Sequence, residues 1–254
     1  MHTVPDGMSH MKQGILYVAS GERYTDAAAV SAASVRKYMP HINITLAGDG
    51  FICEPFDQAL TVHTDDPYRA KILALRNSPY EQTLMLDVDT QVVADPTDIF
   101  TLLSRFDIAV AHAPNRVTLA FQDIPDSFPE FNTGVVAMRQ TQVVQRLLDS
   151  WLTEYDRLLV YDPPSKDQPS FRRVSYNQTG LRIATLTPEF NLRFTMAGFI
   201  NQEVRILHGW APPDTCERIG SILNLEAGNP RRRAVFSGGK LFDGGGNFVS
   251  NLTS

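Results

Sequence analysis

The sequence predicts an α/β fold with a mostly parallel central sheet that is flanked by helices. Short apolar runs rich in β-branched residues alternate with segments whose apolar residues recur at helical spacing. Several of the short runs are apolar without interruption, which is typical of strands buried on both faces. The length of 254 residues and the 43% apolar content allow a substantial core, so one α/β domain with additional segments is the simplest organisation.

The first part of the chain predicts strands and helices in turn. The run "GILYVA" at 14–19 is followed by an Ala-rich helix at 24–37, which a proline ends. Further strands are predicted at 42–48 and, from a weaker pattern, at 59–63. A helix at 68–77 then completes the second strand–helix unit of the predicted sheet.

The alternation continues through the middle of the chain. A strand in "TLMLDVD" (83–89) precedes a helix in "PTDIFTLLSRF", a strand at 107–113, a polar loop at 114–130 and a strand at 131–138. The next helix has an apolar face whose members lie four residues apart: Val143, Leu147, Trp151 and Tyr155. Two short strands, in "LRIATLTPEFNLRF" and "EVRILHGW", end the predicted domain.

The two ends of the chain differ from this pattern. Half of the sixteen glycines follow His208, and "SGGKLFDGGG" predicts no regular element. We therefore expect a flexible leader at 1–13, the domain at 14–210, and a Gly-rich tail or lid at 211–254.

Composition excludes some classes of function. The net charge of −5 gives no reason to expect a nucleic-acid partner. No apolar run approaches the length of a transmembrane segment, and the first residues lack the apolar core of a signal peptide. Because Cys53 and Cys216 are far apart and lie outside any metal-type cluster, we expect a reducing, cytoplasmic setting.

Two carboxylates follow the predicted strand "TLML". Alternate residues of an extended segment point the same way, so Asp87 and Asp89 could share one hard divalent cation and leave positions open for phosphate oxygens. A surface turn is the simpler alternative for an isolated Asp-x-Asp. A phosphatase of the haloacid-dehalogenase type is another, but Gln91 and the late position of the pair in the chain disfavour it.

Five short motifs in order resemble those of the GT-A nucleotide-diphospho-sugar glycosyltransferases, especially the glycogenin-like and lipopolysaccharide galactosyltransferase-like retaining enzymes. They are "LMLDVDTQVV", "FNTGVVAM", "DQPSFRR", "TPEFNLRF" and "ILHGW", and the similarity extends over about residues 14–210. The resemblance implies the Rossmann-like GT-A fold and transfer of a sugar from a nucleotide-diphosphate donor, with UDP as the default nucleotide.

The resemblance also implies roles for individual residues. It implies that Asp87, Asp89 and His208 bind Mn²⁺ or Mg²⁺, although a lone histidine is more often structural. The residues implied to contact the donor are Ala19, Ser20 and Tyr24 at the nucleoside, Arg69 or Lys71 from the preceding helix, Asp87, and Asn132, Thr133, Gly134 and Asn191 near the sugar. Asp167 and Gln168 match the pair beside the reacting carbon, and Asp167 could alternatively cap a helix.

Two departures from the family pattern limit this interpretation. No lysine follows His208 in "HGWAPPD" to bind the diphosphate, although Lys240 or Arg231–Arg233 could replace it. The second Asp that follows the Gln in the family is also absent.

Three hypotheses stay open: a metal-dependent glycosyltransferase, favoured here with retention and an unknown carbohydrate, lipid-linked or protein acceptor; a phosphatase or nucleotidyltransferase; and a non-catalytic sugar-nucleotide binder. Homo-oligomerisation stays open as well.

Overall fold

The computed structural model describes residues 11–50, 52, 54–161, 166–224, 234–237, 240–242 and 247–251. Within these ranges the first eight strands are β1 Met11–Ala19, β2 Asn43–Gly48, β3 Gln58–Thr61, β4 Tyr80–Leu86, β5 Thr90–Val92, β6 Ile108–His112, β7 Phe131–Arg139 and β8 Ile183–Thr185. Seven of them form the central sheet in the order β3-β2-β1-β4-β7-β6-β8, and β5 lies outside it.

The sheet is mostly parallel, as predicted. Parallel pairs join β1 to β2 and β4, β2 to β3, and β6 to β8. The exception is β7, which runs antiparallel to both β4 and β6. Because β7 runs in the opposite direction, its first residues lie beside the carboxyl end of β4, which brings "FNTG" next to "DVD".

Helices cover both faces of the sheet. They are α1 Glu22–Tyr38, α2 Pro67–Arg76, α3 Ile99–Leu102, α4 Gln142–Tyr161, α5 Asp167–Asn177 and α6 Pro213–Asn224. Successive residues of β1 enter different apolar clusters: Ile15 and Tyr17 pack on the side of α1, whereas Leu16 packs on the side of α2 and α4. The predicted apolar face of α4 is buried there, with Leu147, Trp151 and Tyr155 in the core.

The helix predicted from Pro96 is shorter than expected. Only Ile99–Leu102 is α-helical, and the flanking residues form successive i to i+3 turns, such as Ile99 N–H to Pro96 C=O at 3.1 Å. The Asp95 side chain accepts a hydrogen bond from Thr97 N–H at 2.9 Å, which gives this backbone donor of the first turn a local partner.

The C-terminal region is more regular than predicted. The remaining strands are β9 Gly198–Ile200, β10 Ile206–His208, β11 Ala234–Ser237, β12 Lys240–Phe242 and β13 Phe248–Asn251, and four of them form a sheet in the order β13-β12-β11-β9. The expectation that "SGGKLFDGGG" contains no regular element is wrong, because β12 lies within it. Its glycines flank a short "KLF" strand that pairs on both sides.

Other parts of the predicted ends fall outside the described ranges. Residues 1–10 of the leader and Arg231–Arg233 lie outside them, so the proposed phosphate role of those arginines stays a prediction.

The apolar face of α6, with Cys216, Ile219 and Leu223, packs against Leu207 of β10. In the described part of the chain, no helix combines the length and the apolar character needed to cross a membrane.

Candidate metal centre

A tight turn after β4 presents the two aspartates. Asp87 N–H donates to Gly134 C=O at 2.8 Å, which fixes the end of β4 against the start of β7. Asp87 C=O then accepts from the Thr90 N–H at 3.1 Å and from the Thr90 hydroxyl at 2.7 Å, which closes the turn. The chain leaves this turn as β5, which pairs antiparallel with β10 so that Thr90 faces His208. Strand pairing therefore brings His208 to the aspartates.

Asp87, Asp89 and His208 form a group suited to a divalent cation. One potential ligand atom from each lies within 4.8 Å of the others. Two carboxylates and an imidazole are a donor set that Mn²⁺ accepts readily and that Mg²⁺ also tolerates. Gly134 makes room for the group, because a Cβ on it would lie 2.2 Å from His208 Cε1 and 2.9 Å from Asp87 Oδ2. The residues present therefore fit a metal.

A chain of buried hydrogen bonds fixes the tautomer of His208. The Gly134 N–H can only donate, and it donates to Asn132 Oδ1 at 3.0 Å. Asn191 Nδ2 donates to the same oxygen at 3.0 Å, so Asn191 Oδ1 points to His208 Nδ1 at 2.7 Å. Nδ1 must therefore carry the proton, which leaves a lone pair on Nε2. This is the arrangement expected of a histidine that binds a metal through Nε2.

Nε2 of His208 faces two charged side chains. Asp89 Oδ1 lies 3.3 Å away, and Arg193 Nη1 donates to Nε2 at 2.9 Å. Burial alone would raise the pKa of Asp89, but a hydrogen bond and positive charge from His208 in its protonated form, together with the positive charge of Arg193, outweigh burial and lower that pKa. Asp89 therefore stays ionised beside the imidazole.

A buried lysine joins this group to the start of α5. Lys71 Nζ lies 2.8 Å from Asp87 Oδ1, 3.5 Å from Asp167 Oδ2 and 3.3 Å from Thr133 C=O. Burial would lower the pKa of Lys71, but the charges of Asp167 and Asp87 and their hydrogen bonds raise it above its ordinary value. Asp167 also accepts the Thr133 hydroxyl at 2.6 Å. The ammonium thus holds the two carboxylates in place.

A cleft of about 410 Å³ adjoins the aspartates. Its lining includes these residues: Ala19, Ser20, Tyr24, Tyr68, Lys71, Asp87, Asp89 and Trp210. The rings of Tyr24 and Trp210 have centroids 6.5 Å apart, and both are about half exposed. Aromatic rings at a cleft offer a stacking surface for a planar group such as a nucleobase.

Neither Arg69, predicted to contact the donor, nor Gln168, predicted to lie beside the reacting carbon, lines the cleft. Arg69 forms an ion pair with Asp156 of α4, both about one-third exposed or more, and it does not line the cleft. Gln168 is half-buried in the first turn of α5, next to Asp167. The alternative in which Asp167 only caps a helix does not account for its bonds to Thr133 and Lys71.

Sequence reasoning missed Arg193 and Trp210. Arg193 lies two residues after Asn191 in "EFNLRF", and the intervening Leu192 is buried in the core. Because alternate residues of an extended segment share a direction, this spacing was a usable signal for a second polar residue on the side of the site. Trp210 follows His208 by the same interval and lines the cleft.

Comparison with known proteins identifies the fold. No family model matches the chain, and no curated protein matches it. The galactosyltransferase LgtC, solved in complex with donor and acceptor sugar analogs, is similar with a TM-score of 0.56 and 14% identity over 78% of this chain and 87% of LgtC. The glycosyltransferase GlyE of Streptococcus pneumoniae TIGR4 gives a TM-score of 0.55 and 15% identity over 72% of this chain. The chain spans about half of that GlyE chain, 48%.

These similarities confirm the predicted GT-A glycosyltransferase fold. The seven-stranded, mostly parallel sheet flanked by helices is shared with the solved glycosyltransferases. Because fold does not determine function, the chemistry has to be argued from the site itself.

Proposed function

We propose that this protein is a metal-dependent glycosyltransferase that moves a sugar from a nucleotide-diphosphate donor, a UDP-sugar by preference, to an acceptor hydroxyl with retention of configuration. The observation that carries the proposal is the group of Asp87, Asp89 and His208 at the end of a cleft with aromatic walls. The two distant cysteines favour a cytoplasmic setting for this reaction.

The metal group would act on the leaving diphosphate. Held by Asp87, Asp89 and His208, a Mn²⁺ or Mg²⁺ ion would supply Lewis-acid stabilisation of the negative charge that develops on the departing phosphates. The relay through Asn132 and Asn191 keeps the His208 Nε2 lone pair directed at that position. This preorganisation means that His208 needs no change of tautomer before it binds the ion.

The cleft would bind the nucleoside. Tyr24 and Trp210 supply apolar ring surface, and Ala19 and Ser20 lie at the carboxyl end of β1, where open α/β sheets bind ligands. Arg23 adds a positive charge near these rings, with its guanidinium carbon 5.6 Å from the Tyr24 centroid and 6.0 Å from the Trp210 centroid.

The surroundings of Asp167 favour retention. An inverting enzyme needs a carboxylate that is free to take the acceptor proton. Asp167 is buried, and its Oδ2 already accepts the Thr133 hydroxyl and faces the Lys71 ammonium. A role in orienting the sugar fits these contacts better than a role as a base, which leaves a phosphate oxygen of the donor as the proton acceptor.

A donor screen with a matched control tests this proposal. UDP-, GDP- and ADP-sugars are added with Mn²⁺ to the wild type, to Asp89→Asn and to Asp149→Asn, whose carboxylate is exposed and paired with Arg76. We expect one nucleotide sugar to raise the Tm of the wild type and of Asp149→Asn but not of Asp89→Asn. No shift with any sugar nucleotide, or an equal shift in Asp89→Asn, would refute the site.

The products distinguish the three classes of function. Slow release of free sugar together with the nucleoside diphosphate, resolved by ³¹P NMR, is expected of a glycosyltransferase that lacks its acceptor. Release of inorganic phosphate or of pyrophosphate would instead indicate a phosphatase or nucleotidyltransferase. Donor binding without turnover in the presence of an acceptor mixture would indicate a non-catalytic binder.

A further inference from the structure

Arg193 is a basic residue at the metal centre that the proposed chemistry has not used. Its Nη1 donates to His208 Nε2 at 2.9 Å, and Asp89 Oδ1 lies 3.3 Å from the same nitrogen. Among the described residues, its Nε is the one buried side-chain polar atom without a hydrogen-bond partner. A buried donor without a partner costs free energy, so an acceptor that is absent from the free protein would satisfy it.

The contact between Arg193 and His208 excludes direct binding of a metal through the same nitrogen. Neutral imidazole has one lone pair, and Asn191 Oδ1 holds the proton on Nδ1. The Nε2 lone pair can therefore accept from Arg193 or bind a cation, but not both. Asp89 Oδ1 also lies 3.3 Å from this Nε2, so the guanidinium and the carboxylate both face the same nitrogen.

We propose that Arg193 is a counter-ion built into the metal centre: it occupies the Nε2 lone pair of His208 until a divalent cation takes that nitrogen, and it then binds the diphosphate of the donor. The guanidinium lies next to His208, whose Nε2 is 3.3 Å from Asp89 Oδ1, so once released it would be beside both ligands. A diphosphate held by the ion would bring oxygens to that position, and a planar guanidinium binds two such oxygens at once. This inference rests on the proposed function, because it takes a nucleoside diphosphate as the ligand.

The two halves of the inference predict changes of opposite sign. Removing the guanidinium frees Nε2 and removes a positive charge next to the cation, so Arg193→Met should bind Mn²⁺ about tenfold more tightly in the absence of nucleotide. The same variant lacks a charged partner for the phosphates, so its Kd for UDP at saturating Mn²⁺ should rise about tenfold. A residue that only supports the fold would weaken both.

The experiment is calorimetric titration of Mn²⁺ alone, and then of UDP with Mn²⁺, into the wild type and its variants. Arg205→Met is the matched control, since Arg205 precedes β10, is also partly buried and pairs with Glu203. It should leave both constants unchanged. Arg193→Lys keeps the charge and should bind UDP within about threefold of the wild type, because an ammonium still pairs with phosphate. If Arg193→Met does not fold, Arg193→Gln, which also removes the charge, carries the same test.

A lower Kd for Mn²⁺ together with a higher Kd for UDP in Arg193→Met would support the inference. If the wild type binds both ligands, any other pattern would overturn the role of Arg193 and leave the proposed function standing. If the wild type binds neither Mn²⁺ nor UDP, the proposed function fails, and this inference fails with it. The two failures are thus separable by the titration of the wild type.

Discussion

Lys71→Met tests whether the buried ammonium holds the candidate metal centre together. Methionine has a similar length and no branch, so it fills the same space next to Asp87 and Asp167 without the charge. The change leaves the carboxylates of Asp87 and Asp167 close to each other without the cation that now lies 2.8 Å from one and 3.5 Å from the other.

The structure sets the size of the effect. Removing one partner of a buried ion pair costs about 3–5 kcal/mol, because the other charge stays buried without compensation. The side chain of Asp167 is 2% exposed and that of Asp87 is 29% exposed, so water can relieve only Asp87, and we expect the lower end of that range. For a protein of this length, about 3 kcal/mol corresponds to a fall in Tm of roughly 6–12 °C.

The assay is thermal unfolding with and without Mn²⁺, and Arg69→Met is the control on the same helix. Arg69 pairs with Asp156 at the surface, and such pairs contribute no more than about 1 kcal/mol, so its Tm should change by less than about 4 °C. Mn²⁺ should stabilise Lys71→Met more than the wild type, because the ion supplies the missing positive charge. A Tm for Lys71→Met equal to that of Arg69→Met, with an unchanged response to Mn²⁺, would refute the argument.

Three further predictions concern the same centre. In Gly134→Ala the new Cβ must displace the His208 ring, so Mn²⁺ affinity measured by titration should fall about tenfold or more; wild-type affinity would contradict the close packing. Asn191→Leu removes the acceptor that holds the proton on Nδ1, and Mn²⁺ affinity should fall about 10- to 100-fold, whereas an unchanged Kd would disprove the relay. The third prediction concerns Asp89, whose folded-state pKa is lowered below its unfolded value of 3.8, so its ionised form stabilises the fold above that pH and the stabilisation is lost as the pH falls through the folded pKa. In EDTA, the free energy of unfolding of Asp89→Asn should therefore depend less on pH below about 4 than that of the wild type. An identical pH dependence in the two proteins would contradict this.

Much of the sheet was predictable because its signals are local. β1, β2, β4 and β6 are short apolar runs separated by helices with clear periodicity, and each prediction lies within a few residues of the observed strand. The turn after β4 was predictable for the same reason, since two carboxylates directly after a buried strand can lie only at its end. The spacing of the apolar residues and the position of each run along the chain were sufficient to predict these elements.

The direction of β7 was not predictable from its own residues. The run "VVAM" within "FNTGVVAM" is apolar without interruption, and that pattern suits a parallel or an antiparallel strand. Its direction nevertheless brings Asn132 and Gly134 to the aspartates, because an antiparallel β7 starts where β4 ends. The C-terminal strands were missed for a different reason: "KLF" is too short and too rich in flanking glycine to predict a strand without its partners.

The contrast between Arg69 and Lys71 shows what decides a site residue. Both are basic, both lie on α2, and the sequence supported either as a contact to the donor. Residues two apart on a helix point about 200° apart, so α2 can direct only one of them toward β4. Lys71 lies on the buried face with Ala70 and Ala74, whereas Arg69 faces α4 and meets Asp156. On an extended segment, residues two apart point the same way, so Asn191 and Arg193 both reach His208. Local geometry, rather than residue type, therefore determines which basic side chains reach the candidate metal centre.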